Sequence, residues 1–211
     1  MSDWATTSSL ATAGGTLVLA VATFVSVRSA NRAARTAERA LQVGLRPLLM
    51  PSRLEDPAEK VIWGDDHKAR IGGGRAVVEE ADGRIYLAIS LRNVATGIAV
   101  LHGWHAMPER LGPDAPHHAP EEFRRQTRDL YVPGGDIGFW QAAVRDPEDD
   151  LYPGLFEAVK RRDRITVDLL YSDHEGGQRT IGRFVLTPLD GDGQWLSGVT
   201  RVWNLDRPDP R

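Results

Sequence analysis

The chain has 211 residues, 41% hydrophobic and 26% charged, with a net charge of −3 and no cysteine. These proportions exclude a disordered or many-pass membrane protein, and the missing cysteines exclude a disulfide framework, thiolate metal sites and cysteine nucleophiles. Residues 1–53 carry six Arg against Asp3 and Glu38, net +4, which leaves −7 for the rest and excludes a general nucleic-acid footprint on the globular part.

Trp4 to Val27 contains no charged residue, and Arg28, Arg32, Arg35 and Arg39 follow at once. A helix rising about 1.5 Å per residue needs roughly 20 uncharged, mostly apolar residues to cross a bilayer. The run therefore reads as a transmembrane helix, strongest over 16–27 and diluted by Thr6–Ser9 and Gly14-Gly15. Asp3 flanks one side and four Arg the other, so the positive-inside rule puts the amino terminus out and the globular domain on the cytoplasmic face of the inner (plasma) membrane. A cleaved signal peptide would instead need a basic start and a small-x-small site, where this chain has Ser26-Val27-Arg28-Ser29.

Arg28 to Arg46 is rich in Ala and Arg and predicts a helix continuous with the span. Arg28, Arg32, Arg35 and Arg39 share one face, suited to anionic lipid headgroups; Ala30, Ala34, Ala37 and Leu41 line the other. That small stripe could serve a homodimer, but it is too short for sustained heptads and reads better as a plain helix face. Gly44 and Pro47 end the helix.

The globular domain, 47–204, opens with a strand at Leu48–Ser52. Strands follow at Lys60–Trp63, Arg75–Glu80, Arg84–Val94 and Ile98–Met107, punctuated by Gly72-Gly73-Gly74, Asp82-Gly83 and Thr96-Gly97. In Arg84–Val94, Ile85, Leu87, Ile89 and Leu91 alternate with Tyr86, Ala88, Ser90 and Arg92, the pattern of a strand with one buried face. Residues 108–120 read as an exposed Pro-rich loop, and Glu121–Asp129 as a short helix or the start of a strand. Arg128–Val132 and Asp136–Val144 form a predicted hairpin about Pro133-Gly134-Gly135. Leu155–Arg162 is a short amphipathic helix; Ile165–Tyr171 and Arg179–Thr187 make a second hairpin; Val199–Asn204 is a last strand before a polar tail, 205–211.

Many short strands with brief helical inserts predict a mainly β fold, an antiparallel immunoglobulin-like β-sandwich, with a small barrel as the alternative. The anchor, the Arg28–Leu41 connector, Arg46-Pro47, the segment Val61–His67, the segment Leu91–Ala99 and the Tyr171-Ser172-Asp173 turn together resemble a group of uncharacterised, largely actinobacterial single-pass membrane proteins with a β-sandwich domain. The resemblance implies this architecture and carries over no activity and no catalytic residue.

Few residues invite chemistry. His102 and His105 are three apart, which on a strand points them to opposite faces, so they do not share an ion. His117-His118 beside Asp114 sit in the Pro-rich loop. Asp190–Gly193 lacks most of a calcium loop's ligands, and Gly72–Gly74 lacks the Lys-Ser/Thr of a phosphate loop. Asp65-Asp66-His67 and Asp173-His174 pair acid with imidazole in two turns, and would make a polar pocket for acid/base work if the turns met. Otherwise they are ordinary turn residues. No nucleophile elbow, zinc helix or dinucleotide fingerprint occurs, and nothing calls for a cofactor. Trp63, Trp104, Trp140, Trp195 and Trp203 read as core rather than as a binding face. The expectation is a membrane-anchored binding or interaction module for an unknown protein or small molecule. The competing readings are a tethered hydrolase using those two turns, and an extracytoplasmic binder if the topology is reversed.

Overall fold

Helix α1 (Asp3–Gly44) runs uninterrupted for 42 residues. The computed structural model describes the backbone of residues 3–207 apart from 110, 113 and 192, and within that range the side chains from 19 onward apart from 39 and 41–43. Two compact units result, Met1–Gly44 and Leu45–Arg211. Along α1, Leu19, Val21, Phe24, Val25 and Val27 are exposed, as are Arg28, Arg32 and Arg35. Thr23, Ser26 and Thr36 donate their hydroxyls to the carbonyls of Leu19, Ala22 and Arg32, one turn back. Arg39 and the first part of the apolar run, 4–18, fall outside the described side chains. Among the described residues no helix is long and apolar enough to cross a membrane.

The second unit is mainly β and antiparallel. Its strands are β1 (Leu49–Pro51), β2 (Glu59–Ile62), β3 (Lys68–Ile71), β4 (Arg75–Ala81), β5 (Arg84–Asn93), β6 (Ala99–Met107), β7 (Arg124–Val132), β8 (Ile137–Val144), β9 (Ile165–Ser172), β10 (Thr180–Pro188) and β11 (Trp195–Asn204), with helix α2 (Tyr152–Arg161) between β8 and β9. Nine strands form one curled sheet in the order β1-β5-β4-β11-β10-β9-β6-β7, with β8 on the other edge of β5; β2 and β3 form a separate hairpin. The mainly β, antiparallel and sandwich-like expectation holds, with the strands curled into one sheet. A short ladder, Trp195↔Ala76 and Leu196↔Arg75, joins β11 to β4 and makes the sheet continuous. Its inner face encloses one core, from Leu87 and Ile89 to Val167, Leu169 and Phe184, and α2 adds Leu155 and Ala158. The helix stops at Arg162, whose φ of 58° is the left-handed cap that lets Asp163 N–H reach the Ala158 carbonyl.

Period-2 reasoning located β5 but gave it one buried face, whereas both faces are buried. The β2–β3 hairpin lies over the outer face, packing Val61, Trp63 and Ile71 on Tyr86 and Ala88, and Ser90 shares a 2.6 Å hydrogen bond with Ser52. The same holds for β9, where Thr166 and Asp168 are as buried as Ile165 and Val167. They are covered by the described residues of the 108–120 loop, which are themselves exposed or half-buried as expected. Thr166 Oγ1 donates to the Glu109 carbonyl, and Arg183 donates to the carbonyls of Ala115 and Pro116. Gly73 shows why a Gly run is needed without any phosphate: a Cβ there would stand 2.0 Å from the Arg53 carbonyl oxygen.

Candidate ligand-binding cleft

Strands β7 and β8 are consecutive in the chain, yet they are not laddered to each other as the hairpin reading required. Among the described residues, strand β7 pairs only with β6, and β8 only with β5. The seam of the curled sheet therefore runs between them. Near the 133–136 turn it is filled, since a Cβ at Gly138 would stand only 3.1 Å from a Val132 methyl. At the far end it opens into a cleft of about 860 Å³, lined by residues 124–128 of β7, the end of β8 with Arg145, Ile62–Asp65 after β2, and Trp104 on β6.

Side chains, not a backbone ladder, hold this end together. Gln126 Nε2 donates to the Gln141 carbonyl at 2.8 Å, and the Ile62 carbonyl accepts from both Gln141 Nε2 and Arg128 Nη1 at 3.3 Å. Trp63 Nε1 donates to the Ala142 carbonyl at 2.9 Å. Because each carboxamide NH₂ faces a carbonyl, each carboxamide oxygen must face the other way. Gln126 Oε1 and Gln141 Oε1 are both buried without a hydrogen-bond partner.

Four arginines line the cleft. Arg124 makes a two-pronged pair with Asp149 at 2.5 and 2.6 Å and lies 5.6 Å over the Trp104 ring. That bond lowers the Asp149 carboxyl's proton affinity and raises that of the guanidinium. Arg145 Nε, Arg84 Nη1 and the Tyr86 hydroxyl all donate to Asp65 Oδ2, at 2.9, 3.2 and 2.9 Å. Burial opposes ionisation of Asp65, but the bonds from Arg145 and Tyr86 outweigh it and hold the carboxyl at about 2. Burial, with the bond to Asp65, raises the Tyr86 phenol. Arg128 meets only a carbonyl, and Arg125, exposed, has no partner among the described residues. The cleft is thus a positive spot on an acidic domain.

The residues singled out from sequence are split by the fold. Asp65 joins the cleft. Asp66, at φ 63°, makes the turn, and His67 pairs with Glu79 at 2.6 Å while stacking on Tyr86 at 3.8 Å. Asp173 instead caps its own turn, accepting from the backbone N–H of Glu175 and Gly177 and from Gln178 Nε2, and His174 is exposed. The two turns lie at opposite ends of β5. Asp65 is tied to Tyr86 near its start; the Asp173 turn follows Tyr171, whose hydroxyl accepts from the N–H of Leu49, the register partner of Asn93 at its finish. At about 3.3 Å per residue, Tyr86 and Asn93 are roughly 23 Å apart. The joint acid/base pocket does not form.

His102 bonds Ser172 at 2.6 Å, while His105 stacks on His118 at 3.9 Å, and burial followed by the nearby Arg179 charge lowers the His102 imidazole's affinity for a proton. Among the described residues no three His, Asp or Glu are placed to hold a metal ion. Asp192 lies outside the described residues. Trp63, Trp104, Trp140, Trp195 and Trp203 are all buried.

Sequence reasoning missed Arg124, Arg125, Gln126, Arg128, Gln141 and Arg145. One signal was present: β7 opens with six polar residues, Arg124 to Asp129, which one-sided burial does not explain. No protein-family model, curated protein or solved structure matches the chain.

Proposed function

We propose that this protein is a membrane-anchored binding module whose cleft between β7 and β8 takes an anionic ligand. The observation that carries the reading is the seam itself: a sheet left unladdered where four arginines gather, of which Arg124 pairs with Asp149 and Arg145 with Asp65 while Arg125 and Arg128 make no ion pair among the described residues. A partly enclosed positive cleft on a domain of net negative charge concentrates anions and repels them elsewhere. The anchor rests on the uncharged run 4–27 and the Arg residues after it, with the domain on the cytoplasmic face by the charge of the flanks.

The binding claim is tested with the full chain in a zwitterionic detergent, following the melting temperature of the β domain against citrate and poly-glutamate. Anions raise it in a salt-sensitive way, and an Arg125→Ala/Arg128→Ala variant loses about tenfold in apparent affinity, or about 1.4 kcal/mol. Equal shifts in wild type and double variant would overturn the assignment of the cleft.

A further inference from the structure

We infer that the occupant of the cleft is an acidic peptide segment in extended conformation, bound as an added strand along the seam; this deepens the anion-binding reading above and rests on it. Three features separate such a ligand from a compact anion. First, the positive charge is strung out. Arg124, Arg125 and Arg128 line the cleft from β7, where the strand bulges against β6, and Arg145 lines it from the end of β8, so one small anion meets only part of this charge while carboxylates on successive peptide residues meet more. Second, among the described residues β7 and β8 each have one edge without a backbone ladder, and such edges recruit a strand through main-chain hydrogen bonds. Third, the two buried carboxamide oxygens without partners, Gln126 Oε1 and Gln141 Oε1, are acceptors. Citrate and phosphate bring more acceptors, whereas a peptide backbone brings N–H donors.

Gln141 is only 5% exposed, so its unpaired oxygen is a standing desolvation penalty in the ligand-free protein. The Gln126 carboxamide spans the gap to the Gln141 carbonyl. An entering strand displaces this bridge, donates to the freed acceptors and places its acidic side chains by Arg125 and Arg128. No backbone ladder has to be broken to admit it.

The test uses the full chain in zwitterionic detergent and isothermal titration with three probes: a capped hexapeptide of alternating Glu and Val, the same peptide N-methylated at alternate backbone nitrogens, and citrate. The parent peptide binds, the N-methylated form at least tenfold more weakly, and citrate more weakly than the parent. Gln141→Leu loses about tenfold for the parent peptide and little for citrate, and its unchanged or raised melting temperature shows that it folds. Equal binding of the two peptides, or a Gln141→Leu variant that binds the parent as wild type does, overturns the strand-addition inference. Binding of citrate alone overturns it too but leaves the anion reading standing. Binding of no probe removes both.

Discussion

Arg183 shows how much of this domain depends on single polar contacts. It sits in mid-strand at 1% exposure against Asp168 at 0%, with two bonds of 2.8 Å between them, two further bonds to the carbonyls of Ala115 and Pro116, and the Trp203 ring 4.7 Å away. Removing one partner of such a pair leaves a buried charge uncompensated. Asp168→Ala is therefore expected to cost about 3–5 kcal/mol in urea unfolding, and to loosen the 109–119 segment that Arg183 holds. Asp65 gives a pH signature. Its carboxyl is held at about 2 in the fold, below the ordinary value of about 3.9, so its contribution is full above about pH 4 and is lost as pH falls through about 2. Urea midpoints of wild type and Asp65→Asn should differ by a constant amount above pH 4 and converge towards pH 2. A difference that persists unchanged at pH 2 would mean the Arg145 and Tyr86 contacts do not depend on the charge.

At the scale of elements, the strands that were legible are those whose side chains alternate and whose turns carry Gly or Asp. Arg84–Asn93 and Thr180–Pro188 were found nearly to the residue, and α2 was found as an amphipathic helix, though it starts three residues earlier, at Tyr152. What was not legible is which strands pair. The short turn 133–136 between two strands reads as a hairpin, but β7 ladders with β6 and β8 with β5, because Gly135 and Asp136 bond to the backbone of Asn93 instead of extending a β7–β8 ladder. The cleft is the product of that long-range choice, so only the polar run Arg124 to Asp129 hinted at it locally. The second buried face of β5 was hidden for the same reason, since it depends on the β2–β3 hairpin folding over Tyr86 and Ala88. That cover needs the close approach of Gly73 to the Arg53–Asp56 turn. Gly73→Ala forces a backbone shift and is expected to cost about 3 kcal/mol, with faster hydrogen exchange in 59–71. A melting temperature equal to wild type would show that the turn yields freely.

At the scale of the whole molecule, two properties were read from different kinds of signal. The proposed anchor rests on composition alone, read in the sequence; the cleft is topological and visible only in the fold. The proposed anchor makes a separate prediction: the full chain resists alkaline carbonate extraction from membranes, and in intact cells an impermeant thiol reagent labels Ser2→Cys but not Glu148→Cys, an exposed site on the domain. The chain has no cysteine of its own to confuse the readout. Labelling of Glu148→Cys alone would reverse the topology and leave the cleft intact.

If the unladdered seam is where this protein binds, hydrogen exchange of the full chain in zwitterionic detergent, with and without excess poly-glutamate, will register the ligand there. Slowed exchange concentrated in 124–128 and 141–145 is the predicted result. Protection confined to other strands, or no protection at a concentration of poly-glutamate that raises the melting temperature, would contradict it.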